Sequence, residues 1–182
     1  MKIAIGISGS SGAAYARVLL DSLQKMEDLE IGLVVSEQAK VNWKMENPEK
    51  SWDSYPFRYY DTHDFHAPFA SGSAGWDALI VCPCSAGYLA KAAHGLADDL
   101  MSRAAQVMLK ERKKLILVLR ETPFSLIHIE NMRMITLAGG IICPAIPSFY
   151  SGPTRLDDVL ATVTNRVIDL CGLDSKSYRW GA

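Results

Sequence analysis

KIAIGISGSSG, residues 2–12, decides the fold. A short apolar run with β-branched residues breaks into small turn formers, and helical spacing follows at once. Ala14, Val18, Leu19 and Leu23 fall on one face of that helix. Strand, tight turn and helix open a βα unit, and the pattern recurs along the chain. Ile31–Val35 leads into Ser36 and a helical stretch to about Lys44. Ala78–Cys82 leads into helices near Ser85–Ala93 and Leu100–Lys110. Lys114–Leu119 precedes a helix around His128–Ala138, and a short strand at Ile141–Cys143 precedes a last helix from Leu156 to Leu170. Strands that are apolar throughout and alternate with helices predict a parallel sheet covered on both faces. Residues 47–75 are polar, aromatic and rich in turn formers, and they read as a long excursion across the surface.

The chain has 182 residues, enough for one domain with a full core, and it shows no repeat, low-complexity segment or linker. The expectation is a single doubly wound α/β domain over 1–182, of Rossmann or flavodoxin type. Nineteen basic residues against 20 acidic ones leave a formal charge of −1, which argues against nucleic acid and polybasic membrane partners. Any anionic ligand must be held by a few local groups. At 49% hydrophobic and 21% charged, the chain is on the apolar side; a large core or surface buried between subunits accounts for that equally. No apolar run approaches membrane-spanning length, and the N-terminal run is too short for a signal sequence. Cys82, Cys84, Cys143 and Cys171 lack metal-ligand or CxxC spacing, so reduced thiols in a cytoplasmic protein are expected.

Ligands of such sheets bind beyond the carboxyl ends of the strands. Each segment there carries two readings. Gly9-Ser10-Ser11-Gly12 is either a phosphate-approaching helix N-terminus or a tight turn with a serine cap, and it is neither a Walker A loop nor GxGxxG. Ser36 and the Pro83–Tyr88 turn are caps or ligand contacts; three such turns at strand ends favour one pocket. Ser71-Gly72-Ser73 either covers that pocket or forms a loop tip. Arg120-Glu121 at the end of a buried strand suits phosphate recognition and proton transfer better than a surface ion pair. Arg166, at the edge of the last helix's apolar stripe, either snorkels to water or points at an anion in a cleft. Tyr150 donates a hydrogen bond or packs. Lys110 has a sufficient explanation in the dipole of the helix it ends. His63 and His66, near Asp61 and Asp64, lack a third ligand in a diagnostic pattern and read as surface histidines, so no metal site is expected.

GISGSSG at 6–12, SGS at 71–73, PCS at 83–85, LKER at 109–112, RETP at 120–123, FY at 149–150, NR at 165–166 and RW at 179–180 occur in order. Together they resemble the UbiX-type flavin prenyltransferases along nearly the whole chain. The resemblance implies metal-independent transfer of a dimethylallyl group from dimethylallyl monophosphate to N5 and C6 of reduced FMN. The product would be prenylated FMN for a UbiD-type decarboxylase. It further implies FMN contacts at Gly9, Ser10, Ser11, Ser36, Ser85, Ala86, Gly87, Tyr88 and Arg120, although Ala86-Gly87-Tyr88 departs from the usual basic residue and threonine. Ser11, Glu46 and Glu121 become candidates for phosphate and proton handling. Tyr150, Arg166 and Lys110 (the last from a neighbouring subunit) would hold the prenyl phosphate, Trp180 would line the prenyl pocket, and the assembly would be a homo-oligomer, a dodecamer in the family. The alternatives are an FMN-dependent decarboxylase of cysteinyl carboxylates, whose histidine and PxMNxxMW-like motif are missing, and a non-catalytic flavin carrier.

Overall fold

The computed structural model describes residues 1–179 and 181. Six strands form one parallel sheet: β1 (Lys2–Ile7), β2 (Glu30–Val35), β3 (Arg58–Tyr60), β4 (Ala78–Cys84), β5 (Lys114–Leu119) and β6 (Ile141–Ile142), in the order β3-β2-β1-β4-β5-β6. The helices are α1 (Ala13–Leu23), α2 (Glu37–Glu46), α3 (Ala86–Ala93), α4 (Leu100–Lys110), α5 (Leu126–Leu137) and α6 (Leu156–Cys171).

β1, β2 and β5 are buried at every position after the first, and β4 is buried throughout. Both faces of these strands are covered, which is why they show no apolar–polar alternation. On one face Ile3, Ile5 and Ile7 pack with Leu19, Leu20 and Leu23 of α1 and with Val163 and Val167 of α6. On the other, Leu79, Val81, Leu115 and Leu117 pack under Leu89 of α3 and Met101 and Met108 of α4. Strand order reverses between β1 and β4. The loops leaving those two strands diverge to opposite faces, and the crevice between them is where such sheets take ligands.

The excursion at 47–75 is not a surface loop. It contributes β3, an edge strand of three residues paired in parallel to β2. Three of its aromatic residues, Tyr55, Tyr60 and Phe69, are core: Phe69 is fully buried and stands edge-on to Tyr60 and Trp76, with ring centroids 5.0 and 4.9 Å apart. Such pairs add about 0.5–1.5 kcal/mol beyond the area they bury. A strand this short, flanked by turn formers, carries too few residues to show a period. The remaining differences are at element ends, where β4 runs on to Cys84, α2 to Glu46, and α5 begins at Leu126.

Candidate functional site

The turn after β1 is the centre of the site. Gly12 caps α1 with φ at 119°, a conformation that favours glycine, and it has no side chain to satisfy the helix N-terminus. Glu46, the last residue of α2, does so instead. Its two oxygens each lie 3.0 Å from the Gly12 N–H, and one accepts from Ala14 N at 3.3 Å. The α1 terminus, expected to receive a phosphate, therefore already holds a carboxylate of the chain. Glu46 engages two of the N–H groups there, and α2 and α3 bring further helix N-termini to the strand ends. Ser36 caps α2 through Ala39 N at 3.2 Å, and Ser85 caps α3 through Tyr88 N at 3.2 Å. Each helix still has first-turn N–H groups that it cannot itself use, those of Ala86 and Gly87 in α3.

These turns are bonded to one another. Ser8, buried to 4%, gives its hydroxyl to Pro83 O at 2.8 Å and accepts from Ser85 N at 2.8 Å, which locks the β1 turn to the β4 turn. Ser36 N reaches Ile7 O at 3.1 Å. A Cβ on Gly9 would lie 2.7 Å from the Gln38 side chain, so only glycine lets the first two turns pack this closely. Arg120 donates its backbone N–H to Cys84 O at 3.0 Å and its Nε to Ser11 O at 2.7 Å. Beside this cradle the Ser10 hydroxyl is buried with no hydrogen-bond partner. A buried polar atom without a partner is costly. One that belongs to the glycine–serine turn at the switch point fits a segment that takes a ligand rich in polar atoms, such as FMN.

Ser11, Glu46 and Arg120 are thus brought together. Glu121 follows Arg120 at the crevice rim, and its carboxylate accepts the Thr122 N–H at 3.0 Å. At Tyr88, where the turn departs from the family pattern, the side chain is buried and its hydroxyl donates to Met101 O at 2.8 Å, so it belongs to the core. Burial pushes its phenol pKa well up.

Tyr150 and Arg166 line a neighbouring cavity of about 690 Å³ with Cys143, Ser148, Asp169 and Tyr178. The loop that bears Tyr150 is tied to α6 by Thr162, whose Oγ1 accepts Ser148 N at 3.1 Å. Arg166 lines this cavity and is itself exposed, so its guanidinium is open to water as well as to the cavity. Burial raises the Cys143 thiol pKa, and Arg166 opposes that shift. Trp180 lies outside the described residues.

Lys110 is not in this cavity. It ends α4 just before β5 begins, while Arg120 lies beyond the far end of that strand, roughly 20 Å away at the rise of a β-strand. Lys110 is ion-paired with Glu111. Ser71-Gly72-Ser73 lies at the same far end, where Gly72 backs onto the Glu111 side chain. Of the two readings of this loop, covering the pocket is not open to it within its own chain. Ser8 and Thr162 are the contributors that sequence reasoning missed, because their partners are distant in the chain. Among the described residues no cluster of His, Cys, Asp and Glu could hold a metal, and no helix is long and apolar enough to cross a membrane.

Residues 1–167 match the Flavoprotein family. The Flavin prenyltransferase UbiX of Methanocaldococcus jannaschii is 39% identical over 184 residues, covering 100% of this chain and 99% of that protein. The chain belongs to the UbiX-type flavin prenyltransferase family. Two solved members of this family superpose closely. A dodecameric FMN-dependent UbiX-like decarboxylase from Escherichia coli O157:H7 gives a TM-score of 0.94 at 39% identity, with all of both chains covered. AnUbiX, solved with FMN and dimethylallyl pyrophosphate, gives 0.91 at 37% identity over 100% of this chain and 97% of its own. The UbiX fold expected from the sequence is the fold observed.

Proposed function

We propose that this UbiX-family chain joins a dimethylallyl group from dimethylallyl monophosphate to N5 and C6 of reduced FMN, releasing inorganic phosphate and passing prenylated FMN to a UbiD-type decarboxylase. The observation that carries the reading is the pairing of two unlike sites, joined where the Tyr15 hydroxyl of α1 donates to Ala145 O at 3.3 Å, in the loop that lines the cavity. A neutral serine–glycine cradle sits at the switch point, and an arginine–tyrosine cavity lies between the loop after β6 and α6. A relative solved with FMN and dimethylallyl pyrophosphate supports pairing those two ligands in one fold.

Gly9, Ser10, Ser11, Ser36, Ser85, Ala86 and Gly87 would hold FMN through backbone N–H groups and hydroxyls, with Arg120 clamped across the mouth by its bond to Ser11 O. The flavin supplies the nucleophilic nitrogen and carbon, so the chain needs no activated serine, cysteine or histidine. The protein's part is position and charge. Arg166 and Tyr150 would neutralise the phosphate as it leaves, and Lys110 of a second copy would complete the clamp. Glu46 holds the Ser11–Gly12 turn in place and, with Glu121, offers carboxyl groups for proton handling. The donors make a divalent ion unnecessary for departure of the allylic phosphate. Phosphate release by the FMN-loaded protein in EDTA tests this. Release that requires both reduced FMN and dimethylallyl monophosphate is expected, and release that stops on chelation and returns with a divalent ion would overturn the metal-independent route.

A further inference from the structure

The cavity that holds Tyr150 and Arg166 also contains acids. Asp169 follows Arg166 by three residues on α6, a spacing that makes side chains neighbours on a helix surface, and both line the cavity. An unengaged aspartate there would draw the Arg166 guanidinium into an ion pair. It would also place a negative charge beside the anion the cavity receives. Neither occurs. Asp169 is gripped by Arg179 of the C-terminal tail: Nη1 bonds Oδ2, and Nη2 reaches Oδ1 at 3.0 Å. This is the bidentate fork that makes arginine–carboxylate pairs strong. The Ser175 N–H adds a bond to Asp169 Oδ1 at 3.2 Å, and Arg179 Nη2 also reaches Asp174 Oδ1 at 3.3 Å. The pairing holds the Asp169 carboxyl below the usual carboxylate range, chiefly through the hydrogen bond from Arg179. The other acid of the cavity, Asp158, accepts the Arg155 N–H at 3.3 Å. Among the described residues no carboxylate is ion-paired with Arg166.

We propose that Arg179 is a positioning residue, which saturates Asp169 and so keeps Arg166 available to the phosphate. The proposal rests on the reading of this cavity as the prenyl-phosphate site. Arg179 need not touch the substrate; it acts through Asp169.

A double-mutant cycle on the FMN-loaded protein tests it, with dimethylallyl monophosphate and inorganic phosphate titrated separately by calorimetry. Arg179→Ala should weaken both ligands by roughly tenfold, the scale of one diverted charge-assisted contact, with FMN affinity unchanged. In turnover the loss should appear in KM rather than kcat. Asp169→Asn keeps the Oδ1 acceptor for Ser175 and removes the charge. Adding it to Arg179→Ala should restore binding to about the wild-type level, because the trap for Arg166 is gone. Wild-type affinity in Arg179→Ala would overturn the proposal. So would a double variant as weak as Arg179→Ala, which would mean that Arg179 contacts phosphate itself or merely anchors the tail. If the wild-type protein binds neither ligand, the phosphate-site reading fails and takes this proposal with it; binding without rescue fails the proposal alone.

Discussion

Arg166 and Glu121 divide the labour of the site at the level of single side chains. Arg166 lines the cavity, which none of the turns proposed to hold FMN lines, and losing a charge-assisted bond to an anion costs about 1.5–3 kcal/mol. Arg166→Ala should therefore raise the KM for dimethylallyl monophosphate by roughly ten- to a hundredfold while the dissociation constant of FMN stays put. Equal loss of FMN would make Arg166 a flavin contact instead. Glu121 stands beside a fixed cation at a strand end, where a carboxylate near an anionic substrate is unfavourable unless protons must move. Glu121→Gln keeps its shape and its acceptor for the Thr122 N–H. The variant should fold, bind FMN and turn over about a hundred- to ten-thousandfold more slowly, the usual worth of general acid–base help. Unchanged turnover would remove Glu121 from the chemistry.

Between elements, the site depends on bonds that bring distant turns together. Ser8 satisfies one carbonyl and one N–H of the β4 turn while buried. Ser8→Ala leaves the Ser85 N–H without its partner, while Pro83 O keeps the Ser8 N–H at 3.2 Å; it should cost about 1–3 kcal/mol in chemical denaturation and weaken FMN binding as the β4 turn loosens. An unchanged denaturation midpoint would show that the two turns hold without it. Such bonds also mark where the sequence stopped being legible. The strands and the helices that follow them were readable because burial on both faces leaves continuous apolar runs, and the turns at their ends follow directly. β3 was hidden, since three residues paired on one side carry no period. Glu46 was flagged only through the family resemblance. Its bond to Gly12 spans 34 residues, and nothing local in Lys44–Asn47 announces it. Tyr88 misled for a related reason: its place in a ligand turn was plain, but the direction of its ring is set by Met101 on another helix.

At the scale of the whole molecule, α5 presents Leu126, Ile127, Ile129 and Leu137 to the outside and buries only Asn131 and Ile135 against its own chain. An apolar face of this kind marks an interface. Lys110 lies at the wrong end of the sheet to serve its own cavity, and the similar Escherichia coli protein is dodecameric. Ile127→Glu with Leu137→Glu should reduce the mass seen by light scattering and abolish turnover, while helical content by circular dichroism is kept. A large particle that retains full activity would place the interface elsewhere. The proposed activity itself is tested most directly by one anaerobic turnover with reduced FMN and dimethylallyl monophosphate, read as the mass of the flavin extracted from the protein. A flavin heavier by one five-carbon prenyl unit, formed with release of one phosphate per site, is the predicted result. FMN recovered unaltered from protein that has bound both ligands would contradict the account.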